Sequence, residues 1–275
     1  MDPAYTLDMN LAKNYLAHKV YAGILLLLFC GTSEVLANAE TPPTIGDFIA
    51  KDPREIKNRL KNKDYNPIGI VKTAKGRGTG WVTDSCLVLT AKHNIGAKQN
   101  IIGQKIEFYV GQTTIPGKNF QFTESGIVVA SGNPSGDSKD ELLRDWALIR
   151  LNSRIGSKVG VIPTFQYSGE DARTCKSLEV AGFPGEKPLP DLWWQGDCKL
   201  SSSGDTLYAI SCPITQGNSG GPLLCRETDG TLNAIGMTNW SDPNAPSQLS
   251  IAMNFTQDWL LLKSALQKYA TTCDH

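Results

Sequence analysis

Gln216-Gly217-Asn218-Ser219-Gly220-Gly221-Pro222-Leu223 sets one hydroxyl among three glycines and closes the run with proline. Each glycine costs backbone entropy on folding. The run makes sense if the backbone must turn sharply, present Oγ, and bring amide N–H groups close to a substrate oxygen. That is what an activated nucleophile with an oxyanion hole requires. A serine hydroxyl is a weak nucleophile until a base takes its proton, and a histidine base needs a carboxylate to fix its tautomer. The chain has three histidines, and only His93 lies away from both the leader and the last residue. His93 follows the apolar run Leu87 to Leu89, in Leu89-Thr90-Ala91-Lys92-His93. Asp145 opens Asp145-Trp146-Ala147-Leu148-Ile149-Arg150-Leu151. A carboxylate beside a buried strand is costly unless something pairs with it. Taken alone, His93 reads as a satisfied histidine and Asp145 as a turn residue. Together with Ser219 they read as acyl-transfer machinery.

The elements that must position these residues are short apolar runs punctuated by Gly, Asn, Asp and Ser. Ile68-Gly69-Ile70-Val71, Gly80-Trp81-Val82, Ile106-Glu107-Phe108-Tyr109-Val110, Leu178-Glu179-Val180-Ala181 and Leu207-Tyr208-Ala209-Ile210 are examples. Such spacing predicts an all-β barrel or sandwich. Trp259, Leu260, Leu262, Leu266 and Tyr269 recur at helical spacing, with Asn254 or Thr256 as cap, and predict one C-terminal helix. Residues 40–66 form a polar arm or prosegment with a short helix around Pro53 to Lys63. Its basic cluster, Lys57 to Lys63, reads as a solvated helix face. Residues 1–39 read as a signal peptide: Lys13 and Lys19 precede the apolar run Val20 to Phe29, and Ala37-Asn38-Ala39 supplies a cleavage pattern. The run is short for a bilayer span, which implies no stable membrane association once it is removed. The formal net charge is zero, which argues against nucleic acid as a partner. Past the leader lie Cys86, Cys175, Cys198, Cys212, Cys225 and Cys273, an even set that suggests disulfides in an exported protein. Spacing leaves every pairing open. Zinc is the rival reading; it is disfavoured by the lack of any C-x-x-C pair and the scarcity of histidine. No cofactor or metal is implied.

Three segments carry a specific resemblance. Leu89-Thr90-Ala91-Lys92-His93, Asp145-Trp146-Ala147-Leu148-Ile149 and Gly217-Asn218-Ser219-Gly220-Gly221-Pro222 resemble, in that order, the histidine, aspartate and nucleophile motifs of trypsin-like (chymotrypsin-fold) serine proteases. Gly78-Thr79-Gly80-Trp81-Val82 and Ala181-Gly182-Phe183-Pro184 are similar to barrel strands of the same family. The resemblance spans about residues 67–270. It implies two six-stranded antiparallel Greek-key barrels, over 67–160 and 161–255, followed by the helix in 256–275. It makes Ser219 the nucleophile, His93 the general base and later acid, and Asp145 the orienter, with Gly217 and Ser219 N–H groups as oxyanion hole. The substrates it implies are polypeptides.

The departures from the family pattern narrow the branch. Asn218 replaces the aspartate that pairs with a freed N-terminus in the trypsin branch, and no Ile-Val-Gly-Gly-like activation sequence occurs. The chain therefore looks closer to the bacterial glutamyl-endopeptidase-like (V8-like) branch. Asn94 replaces a frequent cysteine, and Asn239 stands where a serine usually supports the aspartate. By the same resemblance, Pro213, Ile214, Thr215 and Gln216 on one side and Thr238, Asn239, Trp240 and Ser241 on the other line the primary pocket. No carboxylate stands at Pro213, which argues against cleavage after Arg or Lys. Thr238 occupies the place of a histidine in glutamyl-specific members, so a neutral or apolar residue before the scissile bond is expected. Asn239-Trp240-Ser241 is expected to pair with substrate as an added strand. The resemblance also implies a Cys175–Cys225 disulfide; Cys198–Cys212, linking neighbouring strands, and Cys86–Cys273 are taken as the other pairs. Asn239-Trp240-Ser241 and Asn254-Phe255-Thr256 are glycosylation sequons, and a glycan on Asn239 would block that substrate strand. Secretion from a bacterium, to the periplasm or the exterior, fits best.

Two rival readings remain. Gly217-Asn218-Ser219-Gly220-Gly221 also fits the nucleophile elbow of esterase-type hydrolases, but that fold wants a histidine well after the serine and a helix where Leu223-Leu224-Cys225 runs into Asp229-Gly230. The other rival is a catalytically inactive binding protein on a protease fold.

Overall fold

The structure, a computed structural model, describes residues 52–274 apart from residues 60, 75, 97–99, 113–117, 133–141, 204–206 and 242–249. The leader 1–39 and the cleavage pattern at Ala37-Asn38-Ala39 lie outside the described residues.

Strands β2 (Ile68–Thr73), β3 (Gly76–Asp84), β4 (Leu87–Thr90), β5 (Lys105–Val110), β6 (Phe122–Ser131) and β7 (Ala147–Leu151) close into a barrel in the order β2-β3-β4-β7-β6-β5. Period-two alternation explains the inward set. In β5, Ile106, Phe108 and Val110 are buried and join Val71, Val82 and Val88 in the barrel interior. Closure leaves this sheet no free edge.

The second sheet is built from β1 (Glu55–Ile56), β8 (Ser177–Gly182), β9 (Trp193–Gln195), β10 (Leu200–Ser203), β11 (Leu207–Ile210), β12 (Pro222–Arg226), β13 (Leu232–Ser241) and β14 (Ser250–Asn254). Its order is β1-β9-β8-β12-β13-β14-β11-β10. The all-β, two-part architecture with a C-terminal helix is the one expected, but this second part is an eight-stranded sheet rather than a six-stranded barrel. One of its two additional strands comes from the arm: β1 pairs antiparallel with β9, Glu55 opposite Trp194 and Ile56 opposite Trp193. A layer of Trp81, Leu89, Phe183, Leu224, Met237 and Met253 joins the two halves.

The arm corrects two expectations. Residues 55–56 are strand and residues 63–65 a 3-10 turn, not one helix. The edge of β9 offers unpaired backbone groups, and satisfying them outweighs a weak helical preference. Only part of the basic cluster is a solvated face: Lys61 and Lys63 are exposed. Arg59 is fully buried, its guanidinium donating to the Ile68 carbonyl at 3.0 Å. Lys57 lies over the Trp194 ring, 3.6 Å from its centroid.

Helix α1 (His93–Gly96) follows β4, α2 (Gly156–Val159) follows β7, and α3 (Gly169–Thr174) precedes β8. The C-terminal helix α4 (Trp259–Ala270) packs on β4, β6 and β7. Leu262 and Ala265 face inward, with Leu266 and Tyr269 against the same core. Leu260, expected in the apolar stripe, is 82% exposed because two residues carry it to the opposite helix face. The helix enters through a 3-10 turn, Thr256–Asp258, where Asn254 Oδ1 accepts from Thr256 N at 3.1 Å.

Disulfides join Cys86 to Cys273, Cys175 to Cys225 and Cys198 to Cys212. The first spans 187 residues and ties the chain's end to the first barrel. Closing so long a loop is worth about 5 kcal/mol in the chain-entropy picture. Replacing Cys86 and Cys273 together by serine should lower stability by about 2–5 kcal/mol. Equilibrium denaturation reads the shift; an unchanged midpoint contradicts it.

Candidate active site

The site lies on the seam between the two halves. Strand β4 pairs with β7, Thr90 opposite Ala147, and the ladder continues as Lys92 N donates to Asp145 O at 3.2 Å. This brings His93, the first residue of α1, onto Asp145. The His93 N–H donates to Asp145 Oδ1 at 2.9 Å, and His93 Nδ1 lies 2.5 Å from Asp145 Oδ2. A carboxylate there holds the proton on Nδ1 and leaves the Nε2 lone pair facing outward. Burial works against a charged ring, but the Asp145 carboxylate and its hydrogen bond outweigh that cost. The His93 pKa is therefore raised above its ordinary value.

Asp145 is held from both sides. Arg144 Nη1 and Trp146 Nε1 both donate to the buried carboxylate of Asp258, Trp146 at 2.9 Å. Asp258 sits at the helix cap position yet makes no cap bond with its side chain. Its oxygens are turned to these two neighbours of Asp145 instead. No local sequence pattern announces this role.

Ser219 occupies a tight turn. Asn218 N donates to Thr215 O at 3.0 Å and Gly221 N to Asn218 O at 2.8 Å. Gly217 and Gly220 have φ of 97° and 82°, a region costly for any residue with a Cβ. A Cβ on Gly217 would lie 2.5 Å from the Phe183 carbonyl. A Cβ on Gly220 would lie 2.5 Å from Thr90 Oγ1 and 2.7 Å from Ala91 N. Only a bare glycine lets this turn press against the strand end that leads to His93.

Residues around the turn hold its carbonyls inward. Ser219 O accepts from Thr79 N at 3.0 Å and from Asn94 Nδ2 at 2.8 Å. Gly217 O accepts from Thr79 Oγ1 at 2.7 Å, and Gln216 O from Gly185 N at 2.6 Å. With the carbonyls turned in, the Gly217 and Ser219 N–H groups find no acceptor among the described residues. Thr79 and Asn94 are supports that residue types alone did not reveal, although Thr79 lies in a segment similar to the family and Asn94 directly follows another. The Ser219 hydroxyl donates to the Asn239 carbonyl at 3.4 Å; no bond from it to His93 is present. Asn218 is buried, and its Oδ1 has no partner among the described residues.

The expected pocket segments flank this turn. Pro213 and Ile214 are buried, Thr215 is half-buried and Gln216 exposed. Thr238 is buried and donates to Asn218 O at 2.7 Å, so its hydroxyl serves the turn. Asn239 Nδ2 reaches Leu142 O at 3.3 Å rather than Asp145. A bulge separates Thr238 from Trp240. Strand β12 stops pairing with β13 at Met237, opposite Pro222, while Trp240 and Ser241 still pair with β14. The edge of residues 239–241 opposite β14 is therefore unpaired among the described residues. No group of three or more His, Cys, Asp or Glu among the described residues is placed to hold a metal.

Comparisons with known proteins bear on the family and the fold. The family model described as Trypsin matches residues 67–260. A curated relative, glutamyl endopeptidase of Bacillus licheniformis, is 24% identical over 249 residues, covering 86% of this chain and 75% of that protein. A solved structure of a Glu endopeptidase in complex with MPD aligns with a TM-score of 0.61 at 19% identity, covering 78% of this chain and 97% of that one.

If Asp145 sets the His93 pKa, then His93 should titrate above the ordinary histidine value in an NMR pH titration, and Asp145→Asn should bring it down. An Asp145→Asn variant that titrates like the parent contradicts the assignment.

Proposed function

The chain belongs to the trypsin family and is a peptidase, and from that premise we propose that it is a serine endopeptidase working through Ser219, His93 and Asp145. The observation that carries the reading is the His93–Asp145 pair, with the Gly220 contact bringing Ser219 to the same strand end.

Rotation of the serine side chain turns Oγ from the Asn239 carbonyl toward His93 Nε2; catalytic bonds commonly close only when substrate is bound. Oγ attacks the scissile carbonyl carbon as its proton passes to Nε2. The carbonyl oxygen, now an oxyanion, accepts hydrogen bonds from the Gly217 and Ser219 N–H groups. Asp145 keeps the Nδ1 proton in place and stabilises the imidazolium. The imidazolium then gives its proton to the leaving amine, the C–N bond breaks, and an acyl ester remains on Ser219. Water, deprotonated by the same nitrogen, attacks the ester, and the proton returns to Oγ as the acid leaves.

The free edge at residues 239–241 supports binding of an extended peptide as an added strand. Neither wall, 213–216 nor 238–241, contains a carboxylate. Glu186, which touches Thr215 of the first wall, is already bonded to Arg54, which supports the expectation of neutral or apolar residues before the scissile bond. Three disulfides support folding in an oxidising compartment, in keeping with export of a bacterial protein. No helix among the described residues is long and apolar enough to cross a membrane.

Ser219→Ala and His93→Ala should each reduce kcat on a peptide substrate by on the order of 10⁴-fold or more, with the fold retained by circular dichroism. A fluorophosphonate probe should label the parent at Ser219 and neither variant. No labelling of the folded parent would favour a non-catalytic binding protein. Because the base must be neutral, kcat/KM should rise with pH through a pKa above the ordinary histidine value. A peptide-library profile dominated by Arg or Lys would sink the pocket reading.

A further inference from the structure

The oxyanion turn rests on two backbone segments. Thr215 closes it from within, accepting from Asn218 N. The loop after β8 supports it from outside: Gly185 N donates to Gln216 O, and the Phe183 carbonyl fills the space a Cβ on Gly217 would need. A third element bridges these two. Arg54, in the arm, has a side chain only 2% exposed. Its Nη1 donates to Thr215 Oγ1 at 2.9 Å and its Nη2 to Glu186 Oε1 at 2.6 Å. Thr215 Oγ1 in turn donates to Glu186 at 2.8 Å. Asp52 grips the other side of the guanidinium, Arg54 Nε to Oδ1 at 2.9 Å and Nη2 to Oδ2 at 2.8 Å, and Lys187 Nζ reaches the same carboxylate at 2.8 Å.

Two cations and two carboxylates thus close a neutral cluster behind the pocket wall. A substrate carboxylate would meet an arginine already in use, so the cluster reads as a brace rather than a specificity pocket. Burial would raise the Asp52 pKa, but its bonds to Arg54 and Lys187 hold it down at about 2, so Asp52 stays ionised at any working pH. Arg59 adds a second anchor, lying over Phe183 with its guanidinium carbon 5.5 Å from the ring centroid. Pairing of β1 on β9 fixes the arm between these anchors.

Resting on the serine-protease reading above, we propose that Arg54 is a positioning residue for the oxyanion turn, acting through Thr215 and Glu186. The arm is then a permanent part of the active enzyme, and any N-terminal processing stops before Asp52. A removable prosegment would not carry a buried guanidinium hydrogen-bonded to the support of the turn, since its loss strips Thr215 Oγ1 and Glu186 of the donor that bridges them.

Two measurements test this. The intact mass of active, fluorophosphonate-labelled protein should place its first residue at or before Asp52. An active species that begins after Arg54 overturns the proposal. Arg54→Met should lower kcat on a peptide amide by on the order of 10–100-fold, with KM within about threefold and the unfolding transition kept. Arg54→Lys should restore part of kcat, and Thr215→Val added to Arg54→Met should cost little more, because the two act through one contact. Unchanged kcat in folded Arg54→Met also overturns it. Should Arg54→Met fail to fold, the mass measurement decides alone. Absence of hydrolysis and labelling in the parent would instead sink the protease reading, a result separable from either outcome.

Discussion

Gly220 sits where one added carbon would overlap Thr90 and Ala91, and through that gap the second sheet reaches the end of β4. Everything catalytic in the proposed mechanism depends on this approach. Ser219 is carried by the turn before β12, whereas His93 and Asp145 are carried by the ends of β4 and β7. The two sets belong to different halves of the chain. They meet because the Ser219 carbonyl is bonded by Thr79 and Asn94 of the first barrel, and because Trp81, Leu89, Leu224 and Met253 pack into one layer across the seam. A displacement of about 1 Å at such a junction can cost two orders of magnitude in rate, so packing far from the reacting atoms bears directly on chemistry.

Charges around this seam are held in closed groups, each centred on a buried side chain, Asp258, Glu179 or Arg54. Asp258 binds Arg144 and Trp146. Glu179 accepts from Tyr65 at 2.5 Å, Trp194 at 2.9 Å and Arg226 at 2.7 Å. Asp52, Arg54, Glu186 and Lys187 form a third group. A buried ion pair is weak evidence for stability, because desolvation offsets most of the Coulomb gain. What such pairs do is fix geometry: every oxygen has an assigned donor, so each group tolerates one arrangement. All three groups lie where a loop or the arm must be held against a sheet. Arg59 is the exception. It faces carbonyls and aromatic rings rather than a carboxylate, and burial pulls its pKa down to about 10.

The residue beside the serine shows how a single side chain redistributes support. Asn218 is buried with an unpartnered Oδ1, and an amide cannot form the ion pair that an aspartate forms with a freed amine. Support for the turn comes here from neutral donors, Thr79, Asn94 and Thr238, and from the Arg54 brace. The arm contributes Asp52 and Arg54 to that support.

Much of the site was legible in the residues themselves. Three glycines around one serine, a single histidine free of both ends, and an aspartate at the head of an apolar strand point to the proposed participants, because nucleophile, base and orienter each need one residue type. Period-two alternation marked the strands, and 3.6-residue spacing marked the C-terminal helix, since both depend on local geometry. Other features depended on distance in space. That Leu260 faces solvent, that residues 55–56 are strand, and that Arg59 is buried follow from which edge and which core lie nearby. The roles of Arg54, Thr79 and Asp258 have no local signature at all: each acts on a residue more than a hundred positions away. Residue type and order along the chain determined the chemistry; which side chains brace it was decided only by tertiary packing, because buried charges and orphaned carbonyls must find their partners wherever the fold brings them together.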